Sequence, residues 1–187
     1  MRRVYAPVAI SSYCSPSITQ CTNVVVHVGS ERMAAATLRI NIWAVPYANG
    51  DLHNVDTRTV TLDAMGSVQY TINNTQQFCA WSDCLFHMEV HDAQELLSMH
   101  DQYLSLFRDA QLKPATLSVQ PGPNFESVTV SSNAVAPSVM VYANVPGGHF
   151  SDNALLLLPN SPVTLTWSGP PATAFYAVAI NGFASTE

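Results

Sequence analysis

Chemistry in this chain has to come from a small stock of titratable and nucleophilic side chains. His87, Glu89 and His91 alternate along one run, and His149, Ser151 and Asp152 fall within a single short stretch. On an extended strand, residues two apart lie about 6.6 Å from one another. His87 with Glu89, or Glu89 with His91, therefore has the reach to share a metal ion, whereas His87 and His91 are too distant to do so unaided. Phe86, Met88 and Val90 occupy the alternate positions, so the pattern predicts a solvated polar strand face and no metal site. His149, Ser151 and Asp152 are crowded into one loop, where nucleophile, base and orienting group do not line up easily. Turn chemistry is the expected role there, and no catalytic residue is assigned.

Other reaction classes leave equally little. Glycoside hydrolysis needs two carboxyl groups about 5 to 9.5 Å apart across a cleft, and the thirteen acids are dispersed with no recognisable pair. The sequence has no G-x-S-x-G elbow, no phosphate-cradling glycine loop and no H-E-x-x-H, so neither catalysis nor a cofactor is expected from motifs. Trp43, Trp81 and Trp167 offer aromatic faces of the kind that pack on pyranose rings, with core or interface anchoring as the plainer role.

Cys14, Cys21, Cys79 and Cys84 all lie in the first half, with six and four residues between the members of the two close pairs. An even number clustered in this way suits two disulfides in an oxidising compartment. The rival, a four-thiolate zinc site, usually uses tighter C-x2-C spacing. Asn73-Asn74-Thr75 is an N-glycosylation sequon at Asn73, consistent with secretion.

Composition sets the class. Of 187 residues, 48% are hydrophobic and 11% charged, enough for a core and too little charge for a disordered chain. A net charge of −6 with a single lysine, Lys113, argues against nucleic acid as a partner. No apolar run approaches the roughly 20 residues that cross a bilayer, so no membrane partner is expected. Met1-Arg2-Arg3 before Val4 to Ile10 has the charge of a leader, but the apolar part is short and broken by Pro7. It predicts a strand and no signal peptide.

The elements that must hold these residues read as strands. Val24, Val26 and Val28 alternate with their neighbours, as do Leu38, Ile40 and Ile42, then Thr57 to Leu62, and Val68, Tyr70 and Ile72. A Ser/Pro-rich connection is expected ahead of Cys21. Asp92 to Leu112 has local helix formers but is read as a linker and crossover strand. Lys113-Pro114 marks a boundary. Beyond it, strands are expected at Thr116 to Val119, Glu126 to Val130, Ser138 to Tyr142, Ala154 to Leu158, Pro162 to Trp167 and Phe175 to Ile180. Pro146 to Pro159 reads as a glycine turn and polar loop feeding an apolar block that is buried on both faces. The prediction is an all-β chain of two consecutive β-sandwich domains, 1–112 and 113–187.

The run Pro146-Gly147-Gly148-His149-Phe150-Ser151-Asp152-Asn153, preceded by Asn133-Ala134-Val135-Ala136-Pro137 and followed by Leu155-Leu156-Leu157, resembles the C-terminal immunoglobulin-like domain of β-mannosidases of glycoside hydrolase family 2. Arg3-Val4-Tyr5-Ala6-Pro7-Val8 is similar to the segment that leaves the catalytic barrel of those enzymes. Cys79, Cys84 and Glu95-Leu96-Leu97-Ser98 resemble the lysosomal type. The resemblance implies that both sandwiches are immunoglobulin-like and that Pro146, Gly147, Phe150, Ser151, Asp152 and Asn153 are structural motif residues. It also implies a (β/α)8 barrel, absent from these residues, that supplies two catalytic glutamates of a retaining mechanism. The implied partner is that barrel, in the same or another chain, with a glycan as a possible ligand and the lysosome or secretion as destination. A free-standing carbohydrate-binding or adhesion module is the alternative.

Overall fold

The computed structural model describes residues 7–185. Within them the chain forms two compact units. The first runs up to Pro46 and resumes from Asp51 to Gln111. The second takes Tyr47–Gly50 and continues from Leu112. Among the described residues no helix is long and apolar enough to cross a membrane.

The first unit is a sandwich of seven strands, β1 (Val8–Ser17), β2 (Gln20–Ser30), β3 (Ala36–Pro46), β4 (His53–Leu62), β5 (Ser67–Ile72), β6 (Cys84–Asp92) and β7 (Glu95–Tyr103). One sheet has the order β1-β2-β5, the other β4-β3-β6-β7, and every pairing is antiparallel. Alternation along each strand drives this arrangement, because residues at every second position share a face. Val24, Val26 and Val28 bury against Leu38, Ile40, Ile42, Phe86, Met88 and Val90 in one core. The register sets Ile40 opposite Val90 and Ile42 opposite Met88, so the apolar faces of β3 and β6 coincide.

Two segments differ from the sequence reading. The Ser/Pro-rich stretch before Cys21 is no connection, since β1 runs through it and pairs with β2 down to Ser17 opposite Gln20. The β1 strand starts at Val8, and the expected Val4 to Ala6 portion lies outside the described residues. The second segment is Asp92 to Leu112, expected as a linker and crossover. Its core is β7, joined to β6 by a tight turn at Ala93, which takes a left-handed φ of 51°. The two residues that β7 buries most deeply are polar, Ser98 and Gln102. Both are satisfied across the sandwich. Ser98 Oγ accepts the Ile10 N–H at 3.3 Å, and Gln102 Oε1 accepts the Ser12 hydroxyl at 2.8 Å.

The second unit contains β8 (Ala115–Pro121), β9 (Ser127–Ser132), β10 (Ala136–Ala143), β11 (His149–Phe150), β12 (Leu155–Leu157), β13 (Val163–Ser168), β14 (Phe175–Ala179) and β15 (Gly182–Ser185). They hydrogen-bond in the order β11-β13-β9-β8-β15-β14-β10-β12. The parallel β8–β15 pair is the hinge of this ribbon, whose two arms meet over a shared core. Leu117, Val128, Val130 and Leu165 come from one arm and Val139, Val141, Leu157, Phe175 and Ala177 from the other. The apolar block after the polar loop contributes a shorter strand than expected. Leu155 and Leu157 are buried but Leu156 is half-exposed, because β12 pairs only with β10 and sits at the end of the ribbon. Strand β15 was not visible as a strand in the sequence.

Candidate functional site

Six residues of the Pro146–Asn153 run, Gly147, Gly148 and Phe150 to Asn153, have structural tasks. Gly147 takes φ +83° in the turn, a region open to glycine without strain. Gly148 is required for a different reason: a Cβ there would overlap the indole of Trp167, and one at Gly169 would overlap both that ring and Gly148. Phe150 pairs with Trp167 in the β11–β13 ladder, ring centroids 5.0 Å apart. Ser151 extends that ladder, donating its N–H to Thr166 O at 2.9 Å and accepting the Thr166 N–H on Oγ at 3.1 Å. Asp152 Oδ1 accepts the Asn153 N–H at 2.7 Å. Asn153 imitates a strand residue with its side chain. Its Oδ1 accepts the Val141 N–H at 2.8 Å and its Nδ2 donates to Val141 O at 3.1 Å. Ser151 and Asp152 thus spend side-chain oxygens on backbone N–H groups.

The His87 face is a correction to the expected solvated surface. Antiparallel register places Asp101 of β7 opposite His87 of β6, with His87 Nδ1 at 2.7 Å from Asp101 Oδ1 and Nε2 at 3.3 Å from Glu89 Oε1. Glu89 Oε2 accepts from His91 Nε2 at 2.7 Å. Trp43 of β3 stacks on the His87 ring at 5.8 Å. The side chains are largely covered, 13% exposed at His87 and 6% at Asp101. Burial pulls the His87 pKa down, but the hydrogen bonds and charges of Asp101 and Glu89 outweigh it and push it up to about 9. The His87 and His91 hydrogen bonds hold Glu89 below its ordinary range, against the opposing effect of burial. A glycosidic general acid needs a raised carboxyl pKa, so Glu89 is poised against that role. Among the described residues no group of three or more His, Cys, Asp or Glu side chains is arranged to hold a metal ion.

The sign of the pH effect follows. A histidine whose folded pKa is raised contributes stability that is complete below 6.5 and is lost as pH rises through about 9. Glu89 contributes above its ordinary 4.5 and loses its contribution as pH falls through the lowered folded value. We expect the urea midpoint of the first unit to fall between pH 6.5 and about 9. His87→Gln should flatten that slope. An unchanged slope in the variant would show that the titration belongs to another group.

The remaining singled-out residues separate. Cys14 bonds Cys21 and Cys79 bonds Cys84. Asn73 is exposed, while Thr75 of its sequon is buried, donating its hydroxyl to Cys21 O and accepting the Trp81 indole N–H at 3.2 Å. Trp81 borders a cavity of ≈ 320 Å³ with Gln76, Ser105 and Asp109. Trp167 borders a larger groove with Asn124, Phe125, Glu126, Pro170 and Pro171.

Fold and geometry together define an all-β protein of immunoglobulin-like sandwiches with no catalytic constellation assigned within it. Residues 107–174, nearly all of them in the second unit, match the family model Ig_mannosidase, an Ig-fold domain. The structure is similar to that of a β-D-mannosidase from Dictyoglomus thermophilum, 12% identical with a TM-score of 0.73, over 96% of this chain and 22% of that one. It is also similar to the exo-chitosanase CsxA of Amycolatopsis orientalis, 14% identical with a TM-score of 0.60, over 97% of this chain and 26% of that one. At such identities the likeness is one of fold, and the chain spans about a quarter or less of those proteins. No curated protein matches it.

Proposed function

We propose that this chain is the non-catalytic C-terminal accessory region of a family 2 glycoside hydrolase, a β-mannosidase. The reaction belongs to a (β/α)8 barrel elsewhere in the same polypeptide or in a partner chain. The observation that carries this reading is the Ig_mannosidase match over residues 107–174, with the two-unit likeness to the D. thermophilum β-D-mannosidase as support. On this reading the parent removes terminal β-linked mannose by a retaining mechanism, and the two sandwiches brace the barrel and shape the rim of its cleft. Two disulfides favour an oxidising destination, lysosomal or secreted.

The chain is expected to give no turnover of a chromogenic β-mannoside. The native polypeptide carrying it, or the complex that it forms with a barrel-bearing partner, is expected to hydrolyse the same substrate. Turnover by the 187 residues alone, or a native product of this length that purifies with no catalytic chain, would overturn the proposal.

A further inference from the structure

We infer that the Trp167 groove of the second unit is a saccharide-binding site, one that stacks a neutral hexopyranose unit on the indole and bonds its hydroxyls to Glu126 and Asn124. The site lies wholly on this chain and stands whether or not a catalytic barrel accompanies it.

The groove has a volume of ≈ 690 Å³ and is lined by Asn124, Phe125, Glu126, Trp167 and the turn at Gly169, Pro170 and Pro171. That falls in the range of about 300–1,000 Å³ typical of small-ligand sites. Its aromatic floor is the half-buried ring of Trp167, held at several points of its edge and by neighbouring rings. The Trp167 indole N–H donates to Pro170 O at 2.9 Å. The ring rests against Phe150 at 5.0 Å and Phe175 at 6.3 Å, and Gly148 and Gly169 approach its benzo edge so closely that neither tolerates a Cβ. Ring position therefore costs no rotamer entropy on binding, which is what a weak carbohydrate contact needs.

The backbone that carries the polar wall is held as well. Asn124 and Phe125 hold consecutive left-handed φ values of 53° and 56°, a conformation that residues other than glycine keep only where the surrounding structure imposes it. Phe125 anchors that turn by packing on Phe175 at 5.5 Å, and Glu126 O accepts the Trp167 N–H at 2.9 Å. The backbone of the residues that line the groove is thereby tied to the strand that carries the indole.

The chemistry selects the ligand. An aromatic face receives the axial C–H side of a pyranose, while a carboxylate and a side-chain amide take its hydroxyls. A stacked nucleotide would bring phosphate toward Glu126 on a chain of net charge −6, so base stacking is disfavoured.

The test uses the whole chain with ¹⁵N-labelled tryptophan and β-1,4-mannotriose as probe. The Trp167 indole N–H resonance is expected to shift on titration while those of Trp43 and Trp81 stay in place. Glu126→Ala is expected to weaken the response about tenfold, the worth of one hydrogen bond on the scale of 1.4 kcal/mol per decade. Because Trp167→Ala would remove the reporting resonance itself, the ring is instead displaced by Gly148→Ala, whose Cβ would overlap the indole and which should abolish the shift. Thermal unfolding reports whether each variant is folded. No shift of the Trp167 resonance at saturating trisaccharide would overturn the assignment. So would an undiminished response in folded Glu126→Ala, or a response to a proline-rich peptide in place of the sugar.

Discussion

Phe175→Ala is expected to lower the stability of the second unit by about 3–5 kcal/mol, the usual cost of truncating a buried phenylalanine. The side chain has no exposed surface, and three rings close on it, Phe125 at 5.5 Å, Phe150 at 5.4 Å and Trp167 at 6.3 Å. Those rings come from the turn ahead of β9, from β11 and from β13, while Phe175 opens β14 on the other arm of the ribbon. The cavity left behind would therefore sit where the two arms meet, with little freedom to collapse. Urea denaturation followed by Trp167 emission should show the transition of this unit moving to lower denaturant with its slope unchanged. A shift worth less than about 1 kcal/mol would mean that neighbouring rings refill the space. The Phe150→Ala and Phe175→Ala pair should be non-additive, since the two rings are in contact.

Asn153→Ala ranks second, at about 2–4 kcal/mol. Removing the amide strips Val141 of a partner for both its N–H and its carbonyl. Val141 is buried, and each backbone group left unsatisfied there costs about 1–3 kcal/mol. Asn153→Asp keeps an acceptor for the Val141 N–H but sets a negative charge against the Val141 carbonyl, so it should recover only part of the loss. Hydrogen exchange at the Val141 amide gives a local readout. Exchange should accelerate in the alanine variant by more than the global loss accounts for, and unchanged protection would refute the bond's importance.

Strands whose inward residues are apolar were legible in the sequence. Leu38, Ile40 and Ile42, or Phe86, Met88 and Val90, bury as their period of two indicates. Strand β7 was not legible, because its most buried residues are Ser98 and Gln102 and the partners that make their burial tolerable, Ile10 and Ser12, lie some 90 residues away. Strand β15 hid for a second reason: Phe183, its largest residue, is 62% exposed, so no alternation marks it. The His87 face needed strand register, which alone brings Asp101 to the imidazole. The Trp167 groove needed a contact between Gly148 and a ring nineteen positions on, information that resides in no local window. The Phe150-Ser151-Asp152-Asn153 run was recognisable by resemblance, yet its physical work, standing in for a strand beside Val141, depended on a partner twelve residues back.

Tyr47–Gly50 belongs with the second unit although the first unit surrounds it in sequence. Lys113 Nζ donates to Ala48 O at 2.8 Å, and a Cβ on Gly50, which has φ +76°, would collide with Pro159. The polypeptide therefore passes between the units at three points, after Pro46, after Gly50 and after Gln111. Two sandwiches on a single flexible thread behave as beads, free to be cut apart, shuffled or melted one at a time. Here a single proteolytic nick after Gln111 would leave Tyr47–Gly50 of the second unit on the other fragment, and a fragment cut out as residues 113–187 would lack part of what that unit is made of. For engineering, the second unit has to be taken with its Tyr47–Gly50 piece, which the C-terminal stretch alone does not contain.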